Sequence, residues 1–181
     1  MFFKLFNRVP TKRKSFSKDE RGIAAVEFVL VVPIIVILLL GSIDAVFALT
    51  ANRKVSLATH SMADIAARET DVSTSLEAIS DLGKVIMTPN DVNLAEIVLS
   101  GAEVDPGGAT ATVAWSEAFG DTNPPALVRN STINLPVPLT PGIFLVVAST
   151  TLPYETLTSV MFNLTETAYF QSRSGEPIIG P

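Results

Sequence analysis

Between Ile23 and Ile43 the chain carries a single charge, Glu27, in a run built on Val29-Leu30-Val31-Val32 and on Ile34 to Leu40. A helix in a soluble core rarely runs that long without a polar stripe, whereas about 20 apolar residues cross roughly 30 Å of hydrocarbon. The run therefore predicts a membrane-spanning helix over residues 23–48. Pro33 lies inside it and removes the donor to the carbonyl of Val29, which a membrane helix tolerates with a kink or a local loosening. Glu27 is the anomaly. An ionised side chain at the bilayer centre costs roughly 2.5–3.5 kcal/mol on insertion scales, so this carboxylate needs an interfacial depth or a partner.

The charges on either side of the run set its orientation. Lys4, Arg8, Lys12, Arg13, Lys14, Lys18 and Arg21 precede it against only Asp19 and Glu20, yet the whole chain has a net charge of −5. A basic flank marks the cytoplasmic side, which leaves the acidic remainder outside; Arg53 and Lys54 on the far flank are outnumbered. The leader, residues 1–22, opens with an apolar patch (Phe2, Phe3, Leu5, Phe6) too short to span a bilayer. A membrane-flanking role accounts for its lysines and arginines, so no nucleic-acid partner is expected. The chain has no cysteine, which excludes a disulfide staple and a thiolate metal site, and His60 is its one histidine, so no metal or other cofactor is expected. Serines and threonines are plentiful, but no histidine is placed as a base beside them and no carboxylates can be paired as acid and base, so the chain is not expected to be an enzyme.

At 181 residues there is room for one modest domain and an appendage. No Gly or Pro interrupts Ser42 to Leu82, and Val55, Ala58, Met62, Ile65 and Glu69 recur at helical spacing, with Arg53, Lys54, Asp64 and Arg68 on the other side. The membrane helix is thus expected to continue as an amphipathic stem, residues 49–70, giving a helix roughly 70 Å long. Asp44, at the outer end of the apolar run, reads as an interfacial residue or a subunit contact.

The head, residues 71–181, is expected to be α+β. A second helix capped by Ser73 or Asp71 turns Leu76, Ile79, Leu82 and Ile86 inward and stops at Pro89. Leu94 to Leu99 and Ala109 to Trp115 form a hairpin around Asp105-Pro106-Gly107-Gly108. Thr132 to Pro136 adds a short extended piece, and Gly142 to Leu152, apolar and β-branched, is the candidate central strand, ended by Pro153. Leu157 to Leu164 reads as a short helix or loop and Thr165 to Ser172 as a last strand, for an antiparallel sheet of three to five strands. Trp115 and Phe119 read as aromatic packing rather than a ligand cleft.

Gly22 and Ile23 form a candidate cleavage site. A protease can reach a helix at the membrane boundary where a small residue admits close backbone approach, and Arg21-Gly22 supplies that residue beside a basic flank. Cutting between Gly22 and Ile23 would create a charged amine one turn from Glu27, at i and i+4 on one face. The same pair between neighbouring subunits would set axial register, because a shifted pair leaves a charge unmatched in apolar surroundings. Ala24-Ala25 allow close helix approach.

The segment Gly22-Ile23-Ala24-Ala25-Val26-Glu27-Phe28, with Val31-Val32-Pro33 downstream, resembles the processing motif of type IV pilin-like proteins. It is similar to the TadE-like minor pseudopilins of the tight-adherence (Flp) pilus system, over roughly Arg21 to Glu69. Looser similarities are Trp115 at a strand end, Pro141-Gly142, Pro153-Tyr154 and Ser172-Arg173. The resemblance implies an inner-membrane prepilin cleaved after Gly22 by a prepilin peptidase, with Glu27 and Phe28 in the assembly motif. It also implies a helix that joins or primes a pilus alongside other pilins or pseudopilins and inner-membrane assembly proteins. Flp major pilins are short and usually carry Glu-Tyr where this chain has Glu27-Phe28, and the long acidic C-terminal region fits a minor component better. Two alternatives stand beside it: an uncleaved single-pass anchor bearing an extracytoplasmic binding head, and a secreted domain cut after Val46-Phe47-Ala48. Against the second, the apolar run exceeds a signal-peptide core of about 7–15 residues and contains Glu27.

Overall fold

The computed structural model describes residues 20–121 and 124–181. The basic residues of the expected leader, up to position 18, lie outside them. Contacts divide the chain into two compact units, with the boundary between Gly41 and Ser42. Helix α1, Glu20–Ala66, belongs to both. In the first unit its apolar residues from Ile23 to Leu40 are exposed, apart from half-exposed Val32. The most apolar window of α1 has mean hydropathy 3.1 with none of it buried, and the helical assignment is unbroken at Pro33. A helix of that length and composition fits a single-pass membrane protein.

In the second unit α1 is a core element. Ala51, Val55, Ala58, Thr59, Met62, Ala63 and Ala66 are buried on one stripe, and Thr59 returns its hydroxyl to the Val55 carbonyl at 2.8 Å. The stretch read as a stem is therefore a wall of the head's own core. The helix ends at Ala66, where Arg68 N–H and Glu69 N–H donate to the carbonyls three residues back, tightening the last turn.

Helix α2, Leu76–Met87, follows a turn in which Asp71 Oδ1 accepts from the backbone N–H of Ser73 at 2.9 Å and from its hydroxyl at 2.6 Å. The expected cap residues thus form a side-chain turn ahead of the helix, and the N-cap position falls to Ser75, which makes no side-chain cap bond. The buried face is Leu76, Ile79, Ser80, Gly83 and Met87. Leu82, expected inward, is exposed, and Ile86 is half-buried. The face is turned so that Gly83 meets Met62 of α1, whose thioether occupies the space a Cβ would take.

Among the described residues, five antiparallel strands complete the head: β1 Glu96–Val104, β2 Thr110–Phe119, β3 Thr132–Asn134, β4 Phe144–Glu155 and β5 Met161–Gln171, in the order β3-β2-β1-β4-β5. The fold is α+β, with a long N-terminal helix, a second helix and one curled sheet. The expected hairpin is β1–β2, and its turn is clamped by Asp105, which accepts from Thr110 Oγ1 at 2.6 Å and Thr112 Oγ1 at 2.7 Å.

The middle strand is β1, not β4; β4 is apolar because it is flanked by β1 and β5 and covered on both faces. Pro153 does not end it. β1 pairs with β4 only as far as Glu96 opposite Thr151, so beyond that point Pro153 pairs with β5 alone and its missing N–H interrupts no ladder to β1. β5 accordingly starts at Met161, inside the stretch expected to be helix or loop, and pairs out to Glu155 opposite Met161.

Both sheet faces are packed. One carries Ile97, Leu99, Trp115, Phe144, Val146, Ala148 and Leu164 against α1 and α2. The other buries Ala102, Val104, Ala111, Leu145 and Val147 under Leu135, Leu139 and Ile143. A bulge joins the two patterns. Gly101 pairs with Trp115 and Ala102 with Val113, so Ala114 is the extra residue, and the indole is turned to the helix side directly over Gly101.

Candidate functional site

The four residues singled out by the motif lie on the first turns of α1. Gly22, Ile23, Glu27 and Phe28 are all exposed. A Cβ on Gly22 would meet nothing within 4 Å, and its backbone is not in the left-handed region. Neither packing nor conformation accounts for a glycine there, although glycine inside a helix costs about 1 kcal/mol relative to alanine. Gly41 has the same open surroundings. Glu27 forms no ion pair with another described residue. Ile23 and Glu27 are one helical turn apart, so a charge at the residue 23 nitrogen and the Glu27 carboxylate would share a face.

At the other end of the apolar run, Asp44 is 9% exposed. Its Oδ1 accepts from the Leu157 backbone N–H and its Oδ2 from the Thr158 hydroxyl, both at 2.9 Å. In sequence Asp44 reads as an interfacial or intersubunit residue; the structure uses it to fasten the β4–β5 loop to α1. Nothing in the local pattern signals this, because the partners are 113 and 114 residues away.

A second fastening holds the far end of α1. Asp64 pairs with Arg68 and, at 3.0 Å, with Arg173, whose backbone N–H also donates to the Ala67 carbonyl at 2.9 Å. The Arg68 hydrogen bond, followed by that of Arg173, holds the Asp64 carboxyl below its ordinary value. Asp64 is thereby committed to arginines, and His60 instead sits with Nδ1 2.9 Å from the Ser56 carbonyl and its ring edge-on to Phe170. No cluster of His, Asp and Glu among the described residues has metal-site geometry.

Trp115 is buried, and its Nε1–H donates to the Ile178 carbonyl at 2.9 Å. The C-terminal segment lies over it. Val72 N–H donates to the Ile179 carbonyl at 2.8 Å and Ile179 N–H to the Thr70 carbonyl at 3.0 Å, while a Cβ on Gly180 would overlap the indole. Phe119 is half-buried against the same core. The aromatic pair is packing, and the tail that covers it carries no periodic pattern by which the sequence alone would reveal it.

Residues 22–70 match the family model described as TadE-like protein. The chain carries a TadE-like segment at its N-terminal side. Comparison with curated proteins and with solved structures returned no match. The TadE-like segment contains Gly22, Ile23, Glu27 and Phe28, runs through Asp44, and ends just past the last turn of α1. The similarity is to proteins of the tight-adherence pilus system. The second helix and the whole sheet lie outside the matched residues.

Proposed function

We propose that this TadE-like chain is a minor pilin or pseudopilin, made as an inner-membrane prepilin and cut by a prepilin peptidase between Gly22 and Ile23. Its N-terminus is cytoplasmic and its head periplasmic or extracellular. Its work is assembly: lateral packing of α1 with the helices of other pilins or pseudopilins, and contact with inner-membrane pilus assembly proteins. It catalyses nothing and is the substrate of the peptidase.

The observation that carries this reading is the start of α1. A glycine with no packing or conformational reason stands at the head of an exposed apolar run whose one charge, Glu27, has no ionic partner among the described residues. Cleavage explains both at once. It requires a small residue at the cut, and it produces an ammonium group one turn from the carboxylate, in the same subunit or in a neighbour.

Sequencing the N-terminus of the mature protein tests it. Ile23 as first residue is the expected result. A chain that begins at Met1 is an uncleaved anchor with a binding head, and one that begins at Leu49 is a secreted domain; either overturns the proposal.

A further inference from the structure

We propose that the β4–β5 loop, residues 156–160, together with the first residue of β5, is a second membrane contact, with Leu157, Val160 and Met161 entering the lipid interface where α1 leaves the bilayer. The proposal rests on the membrane-spanning reading of α1. Its level is set by Asp44. That residue lies in the last turns of the apolar run and holds both Leu157 N–H and Thr158 Oγ1, so the loop is tied to the helix at that level. Leu157, Val160 and Met161 are 67%, 57% and 67% exposed, and Val46 and Phe47 of α1 are exposed beside Asp44 in sequence.

The loop has the chemistry of a segment suited to lipid rather than water. From Thr156 to Thr165 the sequence is Thr-Leu-Thr-Ser-Val-Met-Phe-Asn-Leu-Thr, without a charge. Four of its backbone donors are also satisfied. Thr156 N–H donates to the Val160 carbonyl, Ser159 N–H to the Thr156 carbonyl and Val160 N–H to Thr156 Oγ1, each at 3.0 Å, while Leu157 N–H is taken by Asp44. Apolar surroundings penalise unpaired backbone groups heavily, and a tight apolar loop with most of its donors closed reduces that penalty. Apolar side chains at the headgroup boundary bury about 5–10 Å into it.

The chain has no native cysteine, so single cysteines report cleanly. The full chain carrying Leu157→Cys, Met161→Cys, Ile35→Cys or Val137→Cys is labelled with an environment-sensitive fluorophore. It is then reconstituted in phosphatidylethanolamine–phosphatidylglycerol vesicles containing a lipid with a nitroxide near the ester level. Val137 is the control: it is exposed and apolar, but lies in the segment beside the β1–β2 turn, where Leu139 N–H meets the Gly108 carbonyl. The expected result is loss of emission at positions 35, 157 and 161 and none at 137. Loss at 35 without loss at 157 and 161 overturns the loop contact and leaves the spanning helix standing. No loss at 35 overturns both. Disulfide formation between copies of the unlabelled Leu157→Cys chain, without quenching of its labelled form, makes the patch a subunit contact and also overturns the proposal.

Discussion

Asp44 and Leu157, 113 residues apart, are joined by a 2.9 Å hydrogen bond from the Leu157 amide to the carboxylate. Removing the acceptor in Asp44→Ala leaves that amide and the Thr158 hydroxyl without it, at a cost of roughly 1–3 kcal/mol. Hydrogen exchange at the Leu157 amide should rise at least about tenfold, with the amides of β1 unchanged, since the loss is local opening. Unchanged exchange at Leu157 means the bond does not fasten the loop.

Gly22→Leu should leave full-length precursor in the membrane fraction, because the bulky side chain blocks backbone approach. Gly22 touches nothing, so the same variant should fold like the parent. Glu27→Ala should still be cut yet fail to assemble. Immunoblotting for chain length, with pull-down of other pilus components, separates the two effects. Normal processing of Gly22→Leu rejects the cleavage site.

Gly101→Ala puts a Cβ into the indole of Trp115 and the ring of Phe144, both buried. Overpacking of this kind costs about 1–3 kcal/mol. Gly83→Ala meets only the Met62 side chain, which is flexible and yields more easily. Urea unfolding in detergent, followed by the fluorescence of the one tryptophan, should therefore show a larger drop in midpoint for Gly101→Ala than for Gly83→Ala. Equal midpoints contradict the packing argument.

Hydrogen bonds from Thr110 and then Thr112 hold the Asp105 carboxyl below its ordinary value of 3.8. A carboxylate whose folded value is depressed adds stability that is fully present above the unfolded value and is lost as pH falls through the folded one. Asp71, held down by Ser73, and Asp64 act in the same direction. The head should therefore lose stability as pH drops below about 4. Asp105→Asn should narrow the gap between urea midpoints at neutral and acid pH; an undiminished gap excludes Asp105 as a contributor.

The long helix is readable in the sequence because both of its patterns are local: an apolar run for lipid with Glu27 as its one charge, then an alanine-rich stripe for a sheet. The β1–β2 hairpin is readable for the same reason, from Asp105-Pro106-Gly107-Gly108. The failures share a different cause. Leu82 looks more apolar than Gly83, but the close approach of α1 at Met62 turns glycine inward and leucine out. Pro153 is a stop signal only where a strand has neighbours on both sides, and pairing with β1 ends at Thr151. The motif at Gly22 and Glu27 is visible as chemistry, whereas the fastening of Asp44 depends on residues brought to it by the whole sheet.

The indole of Trp115 is covered by Ile178 and Gly180, almost the last residues of the chain. Synthesis from the N-terminus therefore makes the α1 wall of this core, Ala51 to Ala66, more than 100 residues before the segment that closes over the indole. Order of synthesis thus sets order of closure: the strand that carries Trp115 and the helix that faces it wait for residues 178–180 before the indole is covered.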